Sequence, residues 1–150
     1  MSTFKNTLHQ ACLARIDQSI AAATQAMEDA QNSANQETKS SAGDKYETGR
    51  AMMQLEKDKF AQQLAQSQEL RLQLEQLNPM STYPAIQLGS LLRSNEGCYY
   101  LAVSLGKIMH EGKAVYVLSA AAPLGQVLLG KKLGDKILFQ GRNIEILELW

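Results

Sequence analysis

Apolar residues in the first half of the chain recur with helical spacing. On the first stretch they follow one another at alternating intervals of three and four: Leu13, Ile16, Ile20, Ala23, Met27, Ala30 and Ala34. A second row contains Met53, Phe60, Leu70, Leu74 and Leu77, and polar Glu56, Gln63 and Ser67 interrupt it. The pattern predicts two long helices, from about Thr3 to about Glu37 and from about Asp44 to Leu77, that pack along each other.

The two rows match when the numbers of facing positions sum to about 83. Ala30 then faces Met53, and Ala23 faces Phe60, so that small residues lie opposite large ones as close packing requires. The predicted fold-back point falls at Ser41–Ala42, beside Gly43, and glycine is a helix-ending residue. We therefore predict an antiparallel hairpin with its tip near residues 43–47.

After Leu77 the pattern changes from helix to strand. Asn78-Pro79 stops the second helix, and the proline-bounded segment to Ala85 marks a domain boundary. β-branched, aromatic and aliphatic residues separated by turns then predict strands at Ile86–Leu92, Cys98–Ser104, Ala114–Ala120, Lys136–Gln140 and Asn143–Leu149, with one helix at Pro123–Leu129. The predicted fold is α+β, with a coiled-coil arm at 1–78 and a small sheet domain at 79–150.

Composition and charge favour a protein partner over a nucleic acid. The chain has 150 residues, is 45% hydrophobic and has a formal net charge of zero. Up to Asn78 there are eight Lys and Arg against ten Asp and Glu, and from Pro79 onward there are seven against five. Neither part is basic enough to predict a nucleic-acid groove. The first residues lack the apolar block of a signal peptide, so we expect a cytoplasmic protein with free thiols at Cys12 and Cys98.

Two motifs resemble those of the bacterial Gre transcript-cleavage factors, and the resemblance covers nearly the whole chain. The tip motif of that family reads Gly-Asp-x-x-Glu-Asn-Ala-Glu-Tyr, and Gly43, Asp44 and Glu47 match it. The second motif is close to Ser-Pro-Leu-x-x-x-Leu-x-Gly-Lys-x-x-Gly-Asp. The matching residues here are Pro123-Leu124, Leu128, Gly130-Lys131 and Gly134-Asp135.

The resemblance implies an antiparallel coiled coil followed by an FKBP-like domain that docks on RNA polymerase. The coiled coil would enter the polymerase secondary channel, where Asp44 and Glu47 would help hold a Mg²⁺ ion that promotes cleavage of backtracked RNA. The free protein would bind no cofactor, would act as a monomer, and would meet the RNA 3′ end only indirectly. It would need neither a membrane nor a small-molecule substrate. We expect docking by Pro123, Leu124, Gly125, Lys131 and Lys132.

Departures from the family motifs leave a second function open. Thr48-Gly49-Arg50-Ala51 stands where the family has Asn-Ala-Glu-Tyr, so a base replaces an acid and an aromatic residue is lost. Ala122 replaces the serine before Pro-Leu. A factor that occupies the channel without stimulating cleavage, or that inhibits it, is compatible with these departures.

The sequence is also compatible with other functions for the tip acids, for the cysteines and histidines, for the aromatic residues and for the two helices. Asp44 and Glu47 could simply complement the dipole of the second helix. An enzyme would use Cys12 or Cys98 with a histidine base, His9 or His110. A proline isomerase would need a pocket lined by aromatic residues, for which the candidates are Tyr99, Tyr100, Tyr116, Phe139 and Trp150. A coiled coil that serves only protein interaction or dimerisation would also show the two helical rows.

Overall fold

The computed structural model describes the backbone of residues 2–40 and 44–150 and the side chains of residues 3–36 and 48–150. Its elements are α1 (Ser2–Ser40), α2 (Asp44–Glu75), β1 (Leu91–Ser94), β2 (Gly97–Ala102), β3 (Gly106–His110), β4 (Lys113–Ser119), α3 (Pro123–Leu128), β5 (Lys136–Phe139) and β6 (Arg142–Leu149). The predicted α+β class is confirmed. None of the described helices combines the length and the apolarity needed to cross a membrane.

Residues Arg15–Arg71 form one compact unit, in which α1 and α2 pack as an antiparallel hairpin. An ion pair and a hydrogen bond join the helices: Arg71 Nη1 lies 3.2 Å from Asp17 Oδ1, and Lys57 Nζ donates to Gln31 Oε1 at 2.7 Å. The predicted pairing agrees with this packing. One cavity is lined by both Ala30 and Met53, and another by both Ala23 and Phe60. The predicted fold-back point lies in residues 41–43, outside the described residues.

The predicted residues of α2 and the segment after it, Met53, Phe60, Leu70, Leu74 and Leu77, are all partly or fully buried, but the inner row of the hairpin also contains residues that were not predicted. Partly buried positions follow a heptad spacing through Met53, Lys57, Phe60, Leu64, Ser67 and Arg71. Glu56 and Gln63 are exposed, so they do not interrupt this row but lie outside it. Lys57 and Arg71 were missed because their long apolar stems can pack in a helix interface while their charged ends reach polar partners at its edge.

The second unit contains Met1–Ala14 and Leu72–Trp150. Its six strands lie in the order β3-β4-β2-β1-β6-β5, and only the β2–β4 pair is parallel. The beginning of α1 therefore packs with the sheet. The predicted division into an arm at 1–78 and a sheet domain at 79–150 stays a prediction.

Each face of the sheet is covered by a different helix. The α3 face carries the main core: Ile86, Leu92, Tyr99, Leu101, Leu128, Ile137, Ile144 and Ile146. On the opposite face Tyr100 meets His9 of α1, and His110 meets Phe4 at a ring-centroid distance of 5.2 Å. Side chains alternate between faces along a strand, so Tyr99 and Tyr100 serve opposite sides of the sheet.

Two strand predictions were wrong. The first strand begins at Leu91 and not at Ile86, because Gly89 turns the chain with φ of 96°. Ile86 instead exchanges backbone hydrogen bonds with the segment after α3, accepting from Gly130 at 2.8 Å and donating to Lys131 at 2.7 Å. β3 was not predicted, and His110, expected in a polar turn, is its last residue. The sequence of β3 does not show a clear strand pattern, because the strand begins with a glycine and most of its positions are exposed.

Candidate functional site

A groove runs between α3 and the sheet, and Gly125 determines how closely α3 approaches. Gly125 is buried, and a Cβ atom at this position would collide with the carbonyl oxygen of Ser119. Glycine is therefore required for close backbone contact. α3 begins at Pro123, a favourable first helical residue, whereas Ala122 at the N-cap supplies no side-chain hydrogen bond. The position of α3 places Leu124 over the strands.

Aromatic side chains form the walls of this groove. Tyr99 and Tyr116 lie directly opposite each other on the parallel β2–β4 pair, with ring centroids 5.9 Å apart. Together with Leu124 and Phe139 they line a cavity of about 340 Å³ that also reaches Pro123. Tyr116 is 42% exposed, which is unusual for a large ring on a packed sheet. The groove therefore presents apolar surface to solvent.

One end of the groove is polar. A second cavity of about 280 Å³ shares Tyr99, Tyr116 and Phe139 with the first and adds Glu96 and Arg142. Arg142 Nη1 lies 3.9 Å from Glu96 Oε2. Burial raises the pKa of the Tyr99 phenol, and the negative charge of Glu96 raises it further. The Tyr99 phenol therefore stays protonated.

The residues expected to dock on a partner do not share one environment. Pro123 and Lys132 are exposed, whereas Leu124 and Lys131 are partly buried. Gly125 is buried, so its contribution to docking would be the placement of α3. Leu124 and Pro123 line the groove, and the two lysines follow α3 in the chain.

The tip residues lie where one helix of the hairpin ends and the next begins. α1 ends at Ser40 and α2 begins at Asp44, so Asp44 and Glu47 both belong to the first turn of α2. Their side chains and the whole of Gly43 lie outside the described residues. Arg50 is exposed and, with Ala30, borders a cavity of about 110 Å³ between the helices. Among the side chains that the structure describes, no group of His, Cys, Asp and Glu could hold a metal ion.

Several ionisable groups are buried where α1 packs on the sheet. Lys5 is 0% exposed, donates to the Ser81 carbonyl at 2.6 Å, and has its ammonium 4.9 Å from the ring centroid of Tyr83. Burial lowers the pKa of Lys5 to about 8. His9 Nδ1 and the Tyr100 hydroxyl lie 2.8 Å apart, and burial, followed by the Lys5 charge, lowers the pKa of His9. His9 thus joins the beginning of α1 to the sheet, and Lys5 joins it to the segment before β1.

The residues that an enzyme would use differ in burial and in their contacts. Cys12 is fully buried, and burial raises the pKa of its thiol to about 12, which makes it a poor nucleophile. Cys98 lies on β2 and is partly buried. His110 Nε2 is 2.8 Å from Thr7 Oγ1. His9 and His110 thus contact α1 or the sheet within the same unit.

Sequence reasoning named Tyr99, Tyr116 and Phe139 only as candidates for a proline-isomerase pocket, and it did not separate them from Tyr100 and Trp150. Tyr99, Tyr116 and Phe139 come together in the groove, whereas Tyr100 lies on the other face. The available signal was the alternation of side chains along each strand, which separates Tyr99 from Tyr100. Whether Tyr99 shares a face with Tyr116 depends on the pairing of β2 with β4. That neighbour relation is not visible from chain order.

Comparison with known proteins found a structural likeness but no sequence match. No protein-family model and no curated protein matches the chain. A solved structure of the transcription factor Gfh1 matches 91% of this chain and 92% of its own, with 18% sequence identity and a TM-score of 0.36. This TM-score is too low to indicate a shared fold.

Proposed function

We propose that this protein is a cytoplasmic transcription elongation factor that binds RNA polymerase and stimulates cleavage of backtracked RNA. The C-terminal part docks on the polymerase, and the tip of the hairpin enters the secondary channel. The observation that carries the proposal is the position of the family tip residues. Asp44 and Glu47 occur within the first turn of α2, immediately after the connection between two long antiparallel helices.

The chemistry of the tip supports a role in metal delivery. Two carboxylates one helical turn apart can lie on the same side of a helix. Hard oxygen donors of this type suit Mg²⁺, and an incomplete pair would leave most of the coordination shell to the polymerase. When bound there, the ion would stabilise developing negative charge at the phosphodiester being cleaved. This chain's part is to carry Asp44 and Glu47 to that place on a stiff support.

The C-terminal unit supports the docking half of the proposal. The segment that resembles the second family motif forms α3 and the turn after it, from Pro123 to Asp135. It borders an apolar groove and contains Lys131 and Lys132. An apolar patch edged by charge is typical of a protein interface. The reaction itself would remain that of the polymerase.

A second candidate function rests on Arg50. This cation lies one helical turn after Glu47, at the position where the family has an acid. A guanidinium at that spacing can pair with Glu47 and compete with a metal ion for the carboxylate. The protein would then occupy the channel without stimulating cleavage, or would inhibit it.

A cleavage assay on stalled polymerase tests the proposal. Backtracked elongation complexes with end-labelled RNA would be incubated with Mg²⁺ and the purified chain, and the shortened RNA would be measured. We expect faster cleavage with the chain than without it. Binding without acceleration would favour the channel-occupying function, and absence of binding would exclude both.

A further inference from the structure

Two cations of α2 line the cavity of about 110 Å³ between the helices of the hairpin. Arg50 and Lys57 are about two helical turns apart, so their side chains lie on the same side of α2. Arg50 is exposed, whereas Lys57 is partly buried where α2 packs on α1. Long flexible stems allow both charged ends to reach the same space. The cavity therefore has two positive charges in its wall.

Side-chain amides from both helices add hydrogen-bond donors to this wall. Gln31 and Asn35 of α1 and Gln54 of α2 line the cavity. Gln31 Nε2 donates to Asn35 Oδ1 at 3.1 Å, and Lys57 Nζ donates to Gln31 Oε1 at 2.7 Å. Each amide nitrogen carries two N–H groups and an ammonium carries three, so these contacts do not use up the donors. Donors therefore outnumber acceptors around the cavity.

Among the residues that the structure describes, no acidic side chain lines this cavity. Asp58 accepts a hydrogen bond from Gln54 Nε2 at 3.0 Å but does not itself border the space. Glu56 is exposed and does not border it either. Two cations that share a cavity repel each other, and an anion bound between them would replace this repulsion by attraction. The charge distribution therefore favours an anionic ligand.

The size of the cavity indicates which anion fits. Since water occupies about 30 Å³ per molecule in the liquid, the cavity holds the volume of about three to four waters. That volume suits one phosphate group and lies below the range of about 300–1,000 Å³ for larger ligands. A terminal phosphate carries about −1.5 to −2 charges and three acceptor oxygens. An internal phosphodiester carries one charge and continues as a chain on both sides, so it matches a small cavity with two cations less well.

We propose that this cavity binds a terminal phosphate group, either of a free inorganic anion or of a nucleoside polyphosphate whose base stays outside. The planar guanidinium of Arg50 would hold two phosphate oxygens, and the Lys57 ammonium would supply the second charge. Ala30 and Ala34 are small lining residues, which leave room for the group. The site lies within the hairpin unit and does not require that the chain binds polymerase. Its failure and that of the proposed function are therefore distinguishable.

The first test titrates the free, isotope-labelled chain with inorganic pyrophosphate and, separately, with ATP. Divalent metal ions are left out, and sodium chloride keeps the ionic strength constant. The side-chain amide signals of Gln31, Asn35 and Gln54 should shift and reach saturation, because these groups line the cavity. Saturation by pyrophosphate with weaker binding of ATP would identify a free inorganic anion, and tighter binding of ATP would identify a nucleotide. Shifts that do not saturate, or that are larger elsewhere in the chain, would overturn the proposal.

The second test removes one cation at a time from α2. Arg50→Gln and Lys57→Gln should each weaken pyrophosphate binding by at least about tenfold, the effect expected for a lost charge-assisted hydrogen bond. Lys59→Gln is the control, because Lys59 is exposed on the same helix and does not line the cavity. All three variants make the same change in net charge. Equal weakening by the three would mean that net charge alone attracts the anion, and would overturn the proposal.

Folding of these variants has to be checked because Lys57 also joins the two helices through Gln31. Circular dichroism and thermal unfolding measure the helix content and the stability of each variant. Arg50 is exposed, so Arg50→Gln tests the site even if Lys57→Gln loosens the hairpin. Wild-type affinity in a folded Arg50→Gln variant would overturn the assignment of Arg50 to the site.

The third test distinguishes a terminal phosphate from the phosphodiesters of a nucleic acid. Two short RNA oligomers of the same sequence are compared, one with hydroxyl groups at both ends and one with a 5′ phosphate. The oligomer with the terminal phosphate should bind at least about tenfold more tightly, since only its end carries nearly two charges. Equal binding of the two oligomers would mean that the cations contact internal phosphodiesters, and would overturn the proposal.

Discussion

At the scale of single residues, Lys5 is the clearest case of a group whose burial has a measurable cost. Its ammonium contacts the Ser81 carbonyl and the ring of Tyr83, and its pKa is lowered from 10.5 to about 8 because burial penalises the charged form. Between these two pH values the unfolded chain binds more protons at Lys5 than the folded chain. The Lys5 contribution to the free energy of unfolding therefore rises with pH across this window.

Lys5→Met should remove that pH dependence while keeping an apolar side chain. The difference in free energy of unfolding between variant and wild type should favour the variant most below about pH 8 and shrink toward about pH 10.5. Cys12 and Tyr100 have raised pKa values and oppose the trend in both proteins, so the subtraction cancels them. Urea unfolding at about pH 7 and about pH 9.5 measures the effect. A difference independent of pH would mean that Lys5 keeps its ordinary pKa.

Gly125 is important because the absence of a side chain allows α3 to approach the Ser119 carbonyl closely. Gly125→Ala should destabilise the protein by about 1–3 kcal/mol, because the added methyl group collides with the Ser119 carbonyl and forces α3 away from the sheet. Thermal unfolding measures the loss, and amide chemical shifts around Tyr116 report whether the groove changes.

Gly134→Ala is a control in which the added methyl group strains the backbone without crowding a neighbour. A Cβ at Gly134 meets no atom within 4 Å, although φ there is 86°. This control should lose about 1 kcal/mol through strain alone and leave the groove signals unchanged. If Gly125→Ala is as stable as the wild type, close contact does not determine the position of α3.

At the scale of elements, a helix interface could be predicted fully from the sequence only where apolar residues alone form it. The inner row of α1 could be predicted because each of its positions is apolar. The row of α2 could be predicted only in part, since Lys57 and Arg71 contribute through their stems and end in polar contacts with Gln31 and Asp17. Periodicity therefore predicted that the hairpin exists, but only part of its interface.

The groove could not be predicted because it depends on strand order. The β3–β4 hairpin returns so that β4 lies beside β2, which brings Tyr116 next to Tyr99. Sequence patterns assign each residue to a strand but do not select which strands are neighbours. Leu124 and Pro123 were predicted as docking residues through the family motif, whereas Tyr99, Tyr116 and Phe139 were named only as candidates for an aromatic pocket and are brought together with Leu124 by the topology.

Lys131 and Lys132 follow α3 in the chain and are expected to contact the partner. Lys131→Glu with Lys132→Glu should weaken polymerase binding and make it less sensitive to salt, because two cations facing an acidic partner are reversed. The fold should persist, since Lys131 and Lys132 contribute backbone groups to their hydrogen bonds with Ile86 and Asp135. Binding would be titrated at low and high salt.

A matched double variant checks that net charge alone is not responsible. Lys113→Glu with Lys136→Glu makes the same charge change at exposed positions on β4 and β5. It should bind polymerase nearly as well as the wild type. Equal loss for both double variants would place the electrostatic contribution in the whole unit and not in the segment after α3.

At the scale of the whole molecule, the proposed function divides the work between the two units. The unit with the sheet holds the groove and the lysines after α3, whereas the tip carboxylates begin α2. Docking and stimulation of cleavage should therefore be separable by mutation. A variant of the tip can lose stimulation and still bind polymerase, and a variant of the groove should lose both.

Asp44→Asn with Glu47→Gln tests this separation. The two substitutions preserve shape but remove both negative charges, so polymerase binding should persist while Mg²⁺-dependent stimulation is lost. Each 1.4 kcal/mol lost from stabilisation of the reaction barrier corresponds to about tenfold in rate. The measurement is the single-turnover cleavage rate at saturating protein. Unchanged stimulation would mean that the tip carboxylates take no part.

Arg50→Glu tests whether the tip of this protein is restrained by its own cation. Restoring an acid one turn after Glu47 removes a competitor for that carboxylate, so cleavage should be faster than with the wild type at equal binding. Arg50→Gln is the control, because it removes the cation without adding an acid and should give an intermediate rate. If neither the wild type nor either variant stimulates cleavage while polymerase binding persists, the tip does not deliver a metal, and the channel-occupying function is the better account.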